Sequence, residues 1–199
     1  IHELYMETYA ALESLLTAGY VKAIGVSNMT VPKMKLLLRD CTVRPVVNQV
    51  EIHPHFQQER LVRYHLDETD VKVVGYMPMG SPHRPERDRF PEHTEDLKDA
   101  VLNQVAEENG WTVGQTALKF NMQRGIALIP QTATPQRLVE NLMANSLPDL
   151  SEEQMARLRG IDKNCRLIRG QVFCWKQNQD WHDLWDDLGE ETWDGPING

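Results

Sequence analysis

Val46-Val47-Asn48-Gln49-Val50 and Val71-Lys72-Val73-Val74-Gly75-Tyr76 are short apolar runs, rich in β-branched residues, whose starts lie 25 residues apart. Two runs of the same kind flank them. Val21-Lys22-Ala23-Ile24-Gly25-Val26 starts 25 residues before the first, and Ile126-Ala127-Leu128-Ile129 starts 55 residues after the second. Each is nearly continuous rather than alternating, which is the pattern of strands buried on both faces of a parallel sheet. A spacing of this size holds one strand and one crossover helix, because parallel neighbours need a connection of a dozen residues or more. The wider gap holds a further unit and an insertion.

Helical spacing of apolar residues fills the intervals. Residues 5–18 place Tyr9, Leu12, Leu15 and Leu16 on one face and stop at Gly19. Residues 31–39 do the same with Met34, Leu37 and Leu38, and residues 58–66 follow the second run. Residues 97–109 carry Leu97, Val101, Leu102 and Val105, and residues 112–124 carry Val113, Ala117, Leu118 and Phe120. Thr134 followed by Pro135 predicts a helix start with Thr134 as its cap. Ser151-Glu152-Glu153-Gln154 is a capping box, with Leu150 and Met155 placed as a hydrophobic staple. Helices alternating with buried strands predict an α/β fold. Residues 81–95, rich in Pro, His and Arg, read as a long surface loop of the kind that often carries function. The pattern dissolves after Ile161, dividing the chain into a body of residues 1–164 and an irregular tail of residues 165–199 that holds Trp175, Trp181, Trp185 and Trp193.

The chain has 199 residues, 41% of them hydrophobic and 25% charged, the balance of a globular protein rather than a disordered one. Lys and Arg number 21 against 29 Asp and Glu, for a net charge of −8. That acidity argues against a nucleic-acid partner, which calls for a basic face. No apolar run approaches a membrane span. Three cysteines, Cys41, Cys165 and Cys174, are an odd and sparse set that points to a reducing, cytoplasmic setting. Their irregular spacing with His182 reads as unpaired thiols rather than a zinc site, so no metal is expected. The chain opens on Ile1 inside a helical pattern, from which a processed, trimmed or partial chain is expected.

In parallel α/β folds the chemistry collects at the carboxyl ends of the strands. There the sequence offers Ser27 and Asn28, then Gln49 with Glu51 and His53, then Tyr76, then Gln131 and Thr132. Gln49 inside an apolar strand needs a partner, since a buried amide without one is costly. Ser, Asn and Gln together supply the donors and acceptors that a carboxamide requires. Tyr76 offers a flat face to a planar ring. Gly80-Ser81 lets backbone approach an anion, and Thr134 to Arg137 is a helix N-terminus with a cation three residues in. Each residue alone is an ordinary turn residue, but in order on four successive strands they sketch a dinucleotide lying across the strand ends.

The segments Val21-Lys22-Ala23-Ile24-Gly25-Val26-Ser27-Asn28, Val47-Asn48-Gln49-Val50-Glu51-Ile52-His53-Pro54, Tyr76-Met77-Pro78-Met79-Gly80-Ser81-Pro82 and Ile129-Pro130-Gln131-Thr132-Ala133-Thr134-Pro135 resemble the aldo-keto reductase family, in unbroken order from about Tyr5 to Asn164. The resemblance implies the C-terminal half of a (β/α)8 barrel, strands five to eight, with a C-terminal helix and the irregular tail. It implies reduction of aldehydes and ketones with a nicotinamide cofactor, usually NADPH. Ser27, Asn28 and Gln49 would hold the nicotinamide carboxamide and Tyr76 would stack under its ring. Met77, Met79, Gly80 and Ser81 would line the pyrophosphate. Gln131, Thr132 and Arg137 would surround the 2′-phosphate, with Glu140 and Asn141 at the adenine, and Trp175 would line the substrate mouth. The family commonly has Lys where Gln131 stands and Ser where Met77 stands, which leaves NADH open as a cofactor.

The family's catalytic Asp, Tyr, Lys and His lie on the first half of the barrel and have no counterpart in this span, so no catalytic residue is assigned. Two function classes follow. One is the cofactor-binding half of an NAD(P)H-dependent reductase acting on a small carbonyl compound, inactive as this span alone. The other is a non-catalytic nucleotide-binding or interaction module derived from that half. An upstream segment bearing those four residues favours the first, and an initiator Met directly before Ile1 the second. A half barrel has open edges, so the isolated chain is expected to self-associate.

Overall fold

The computed structural model describes residues 2–82, 84–174 and 176–186. In chain order the elements are α1 (His2–Thr17), β1 (Val26–Ser27), α2 (Val31–Asp40), β2 (Val47–Glu51), α3 (Glu59–Glu68), β3 (Lys72–Tyr76), α4 (Ala100–Asn109), α5 (Val113–Gln123), β4 (Ala127–Ile129), α6 (Pro135–Met143) and α7 (Glu152–Arg159). The four strands form one sheet in the order β1-β2-β3-β4, every pair parallel. The α/β reading and the parallel sheet are therefore what the chain adopts.

Local chemistry explains most helix boundaries. Thr112 and Gln115 close a reciprocal capping box at the start of α5, and Ser151 and Gln154 close another at α7. Leu150 and Met155, the expected staple, are both buried in one cluster with Leu102, Val105, Ala117, Phe120 and Leu158. That cluster binds α4, α5 and α7 into one layer. A second core, with Tyr9, Met34, Leu37, Tyr64 and Val71, joins α1 and α2 to the sheet. A third, with Val50, Ile52, Leu61, Val62, Val73 and Ile126, lies between the sheet and α3.

The structure corrects the sequence reading in several places. The expected strand 21–26 shrinks to Val26–Ser27, because only Val26 and Ser27 find ladder partners, at Asn48 and Gln49. The expected helix from Leu97 starts at Ala100. Asp99 accepts the amides of Val101 and Leu102, and residues 96–98 form a separate 3-10 turn. Thr134 does stand at the N-cap of α6, its carbonyl accepting the Leu138 amide, but its side chain makes no capping hydrogen bond. The strands are not all buried on both faces. Ala127 and Ile129 of β4 are exposed, and α6 buries none of its residues, leaving Leu138, Val139, Leu142 and Met143 open to solvent. The tail carries two 3-10 turns, Gln171–Phe173 and Trp181–Leu184, while Trp175 and Trp193 lie outside the described residues.

Gly75, next to the last residue of β3, shows why the strand cannot take a larger residue there. A Cβ there would sit 2.9 Å from Leu128 Cδ2 and 3.4 Å from both Ile126 Cγ2 and Ile52 Cβ. Gly75→Ala is expected to destabilise the chain by about 1–3 kcal/mol, the usual cost of overpacking a filled core. Urea unfolding followed by far-ultraviolet circular dichroism measures this, and an unchanged midpoint would show that Leu128 gives way freely.

Candidate functional site

β2 organises the carboxyl end of the sheet. The Gln49 carbonyl accepts the amide of Asn28 and the hydroxyl of Ser27, both at 2.9 Å. Asn48, fully buried, accepts the Met29 amide at 3.2 Å and donates to the Met29 carbonyl at 2.8 Å, imitating a backbone pair with its side chain. Its second N–H meets His65 Nε2 at 3.1 Å. Burial pushes the His65 pKa down to about 4, so the ring is neutral at neutral pH and Nε2 accepts. The two ends of this loop are thereby clamped, and Asn28 between them is held at φ +57°, a left-handed conformation that Asn tolerates better than most residues. The buried amide of this strand is thus Asn48, not Gln49, which is half-buried and forms no side-chain hydrogen bond among the described residues.

Tyr76, paired with Glu51 in the register, donates from its hydroxyl to Asn28 Oδ1 at 3.1 Å. Burial, then the Glu51 charge, push its phenol above the ordinary value, so it is a neutral donor. Ser27, Asn28, Gln49 and Tyr76 are therefore gathered at neighbouring strand ends. The chain then turns tightly, with Met77 at φ +53°, Gly80 at +70° and Ser81 at +34°, and with the Gly80 amide on the Met77 carbonyl. A Cβ on Gly80 would collide with the Asp96 carboxylate, so the turn admits only glycine there. The Met79 side chain packs into the α4–α5–α7 core, which leaves only its backbone for the turn's open side. Arg84, buried, donates to the carbonyls of Gly80, Ser81 and Asp88 and to His93 Nδ1, tying residues 80–93 together.

The pairing of Tyr76 with Ile129 puts Gln131 and Thr132 on the next strand end, beside that turn. Gln131 and Arg137 are exposed, and Glu140 and Asn141 are half-buried farther along α6. Gln136 donates to the Glu140 carboxylate at 3.0 Å and Gln115 donates to its carbonyl at 3.1 Å. Trp175 falls outside the described residues.

The sequence reading named Glu51 and His53 at a strand end but gave them no role. Both are fully buried. His53 donates from Nδ1 to Asp96 Oδ1 at 2.8 Å and from Nε2 to Glu51 Oε1 at 3.1 Å. Burial opposes the imidazolium, but hydrogen bonds to Asp96 and Glu51 and their charges outweigh it and push the pKa up to about 9. Burial likewise opposes the two carboxylates, and His53 holds both below their ordinary values. Glu51 also accepts the amides of Leu167 at 2.6 Å and Ile168 at 2.9 Å. Asp96 also accepts the His55 amide at 2.9 Å, and its other oxygen makes no hydrogen bond among the described residues, with His55 Nδ1 3.8 Å away. A Glu and a His two residues apart on a strand share a face, and that signal was available. Asp96, 43 residues from His53, was not. No cluster of three metal-ligating side chains occurs among the described residues.

The strand ends suit a carboxamide. Gln49 offers an uncommitted amide, Asn28 keeps its Nδ2 donor, and Ser27 Oγ, which donates to Gln49, can still accept. The sequence pattern of the Aldo/keto reductase family matches residues 2–163. Aldo-keto reductase family 1 member A1 of Bos taurus is 37% identical over 164 residues, 82% of this chain and 49% of that protein. Glycerol 2-dehydrogenase (NADP(+)) of Hypocrea jecorina is 36% identical over 157 residues, 78% of this chain and 46% of its own length. The crystal structure of the silkworm (Bombyx mori) aldo-keto reductase complexed with NADPH superposes with a TM-score of 0.76 at 34% identity, covering 88% of this chain and 55% of that one. The chain thus spans about half the length of the curated relatives it matches.

The buried network sets a pH dependence. His53 has a folded pKa raised from 6.5 to about 9, so its contribution is complete below about 6.5 and disappears as pH rises through about 9. Glu51 and Asp96, held below 4.5 and 3.8, contribute above those values and lose that contribution as pH falls. The stability difference between the unaltered chain and His53→Gln should therefore be largest at about pH 5–6.5 and shrink toward pH 9. Urea titrations at several pH values test this. A difference that grows between pH 6.5 and 9 would mean His53 is buried neutral.

Proposed function

The chain belongs to the aldo/keto reductase family, and from that premise we propose that it is the cofactor-binding half of an NAD(P)H-dependent reductase of aldehydes and ketones, corresponding to strands five to eight of a (β/α)8 barrel. The observation that carries the reading is the gathering of Ser27, Asn28, Gln49 and Tyr76 at adjacent strand ends, with the Gln49 side-chain amide and the Asn28 Nδ2 donor uncommitted among the described residues. In it Ser27, Asn28 and Gln49 hold the carboxamide and the Tyr76 ring stacks under the nicotinamide. The turn of Met77, Met79, Gly80 and Ser81 lines the pyrophosphate. Gln131, Thr132 and Arg137 meet the 2′-phosphate, Glu140 and Asn141 the adenosine, and Trp175 the substrate mouth. NADPH or NADH bound there supplies a hydride to a carbonyl carbon.

These residues bind and orient. None supplies the proton that a carbonyl oxygen takes up, since the Tyr76 hydroxyl is committed to Asn28 and its phenol is pushed up by burial. The 199-residue chain is therefore expected to bind the dinucleotide and to reduce no aldehyde. NADPH oxidation with an aromatic aldehyde, above a heat-killed control, would overturn the assignment of the acid to a part of the protein beyond this span.

Gln131→Lys is expected to tighten NADPH about tenfold and leave NADH nearly unchanged, because a charge-assisted bond to the 2′-phosphate is worth roughly 1.5–3 kcal/mol before desolvation losses. Titration of both cofactors by tryptophan fluorescence decides it, and equal changes would place Gln131 away from the 2′-phosphate. The open sheet carries a further expectation. β1 and β4 lie at the two edges, and Ile129, Leu138, Val139, Leu142 and Met143 are exposed. Edges and apolar surface of this kind invite pairing between chains. Size exclusion with light scattering should give a mass above the monomer, and a monodisperse monomer with a sharp thermal transition refutes self-association.

A further inference from the structure

The described residues 166–174 and 176–186 contain no α-helix or strand, yet they are held beside the strand ends. At one end the Leu167 and Ile168 amides donate to the buried Glu51 carboxylate, beside Tyr76 in the register. At the other, Asp186 accepts from Thr30 and pairs with Lys33 at 3.1 Å, and Lys33 also donates to the Leu184 carbonyl. Thr30 lies two residues beyond Asn28. Between these ends Arg166 stacks on Phe56 and Trp185, with its guanidinium 3.6 Å from the Trp185 ring, and Trp185 donates to the Arg169 carbonyl at 2.7 Å. The segment is a strap whose two attachments bracket the Asn28–Tyr76 pair.

The attachments are unequal. Arg169–Glu92 and Lys33–Asp186 reach solvent, where ion pairs contribute little. Glu51 is fully buried and accepts three N–H groups, from two strap amides and from His53, which in turn holds Asp96 at the base of α4. Charge-assisted bonds in such a setting are about twice as strong as neutral ones. Removing that acceptor leaves the two strap amides without a partner and the imidazolium with Asp96 as its remaining carboxylate.

The geometry points to Glu51 as a positioning residue: it holds the 166–186 strap over the Asn28–Tyr76 face and so governs how long a nicotinamide stays there. It touches neither cofactor nor substrate and acts through the strap. This rests on the reading of that face as a nicotinamide site. A purely structural buried acid would loosen the whole chain when altered, whereas a strap anchor loosens the strap first.

Glu51→Gln keeps the shape and loses one acceptor and the charge. Hydrogen exchange in peptides from 166–186 should rise at least tenfold while β2, β3 and α5 change less than twofold. Stopped-flow NADPH release should quicken about tenfold, with the association rate within about twofold. Exchange that is unchanged in the strap, or that rises equally throughout the chain, overturns the inference, as does unaltered release. Should Glu51→Gln not fold, exchange at the Leu167 and Ile168 amides of the unaltered chain decides: protection matching β2 supports the anchor, and free-chain rates overturn it. Failure of the unaltered chain to bind NADPH overturns the cofactor reading, and the exchange comparison still judges Glu51 as the strap's anchor.

Discussion

A buried carboxylate at the end of β2 governs how three separate pieces of chain meet. Glu51 cannot remain ionised in a dry site without compensation, and the structure supplies it from two directions. His53 brings a positive charge from its own strand end, and the Leu167 and Ile168 amides bring fixed N–H dipoles from the tail. His53 in turn demands Asp96, which docks the end of the long 81–95 loop. None of these groups is tolerable alone. Their mutual need ties loop, tail and sheet into one assembly around the strand ends.

The same strand does its other work through the backbone and a single amide. Asn48 pairs with both polar groups of Met29, and the Gln49 carbonyl takes Ser27 and Asn28. Together they hold Asn28 in a conformation that it would not choose by itself, and Tyr76 closes on it from the next strand. The exposed polar groups of the candidate site are positioned by buried ones that point away from it. Function at the surface of this fold is held in place from beneath.

The sheet meets solvent differently at its two ends. Near β2 and β3 it is covered by α3. At β4 and α6, Ile129, Leu138, Val139, Leu142 and Met143 stay exposed, although Leu128 packs into the core beside them. A helix with Leu138, Val139, Leu142 and Met143 on show has the sequence of a packed element and the exposure of a free one.

Local rules carried much of the reading. The capping box at Ser151, the staple of Leu150 and Met155, and the helical spacing within 31–39 and 112–124 each depend on residues within a few positions of one another, and the structure keeps all of them. The order of Ser27, Gln49, Tyr76 and Gln131 along the strand ends was legible for the same reason, since a parallel sheet converts sequence order into spatial order. The length of β1 was not legible, because a strand extends only as far as its neighbour offers partners. Which amide is buried, Asn48 rather than Gln49, depends on which face α3 and His65 cover. The Glu51–His53–Asp96 network joins positions 43 and 116 residues apart, and nothing local marks them as partners. Short-range geometry is written in neighbouring residues; compensation of a buried charge is a demand of the interior, and only the folded chain shows which groups answer it.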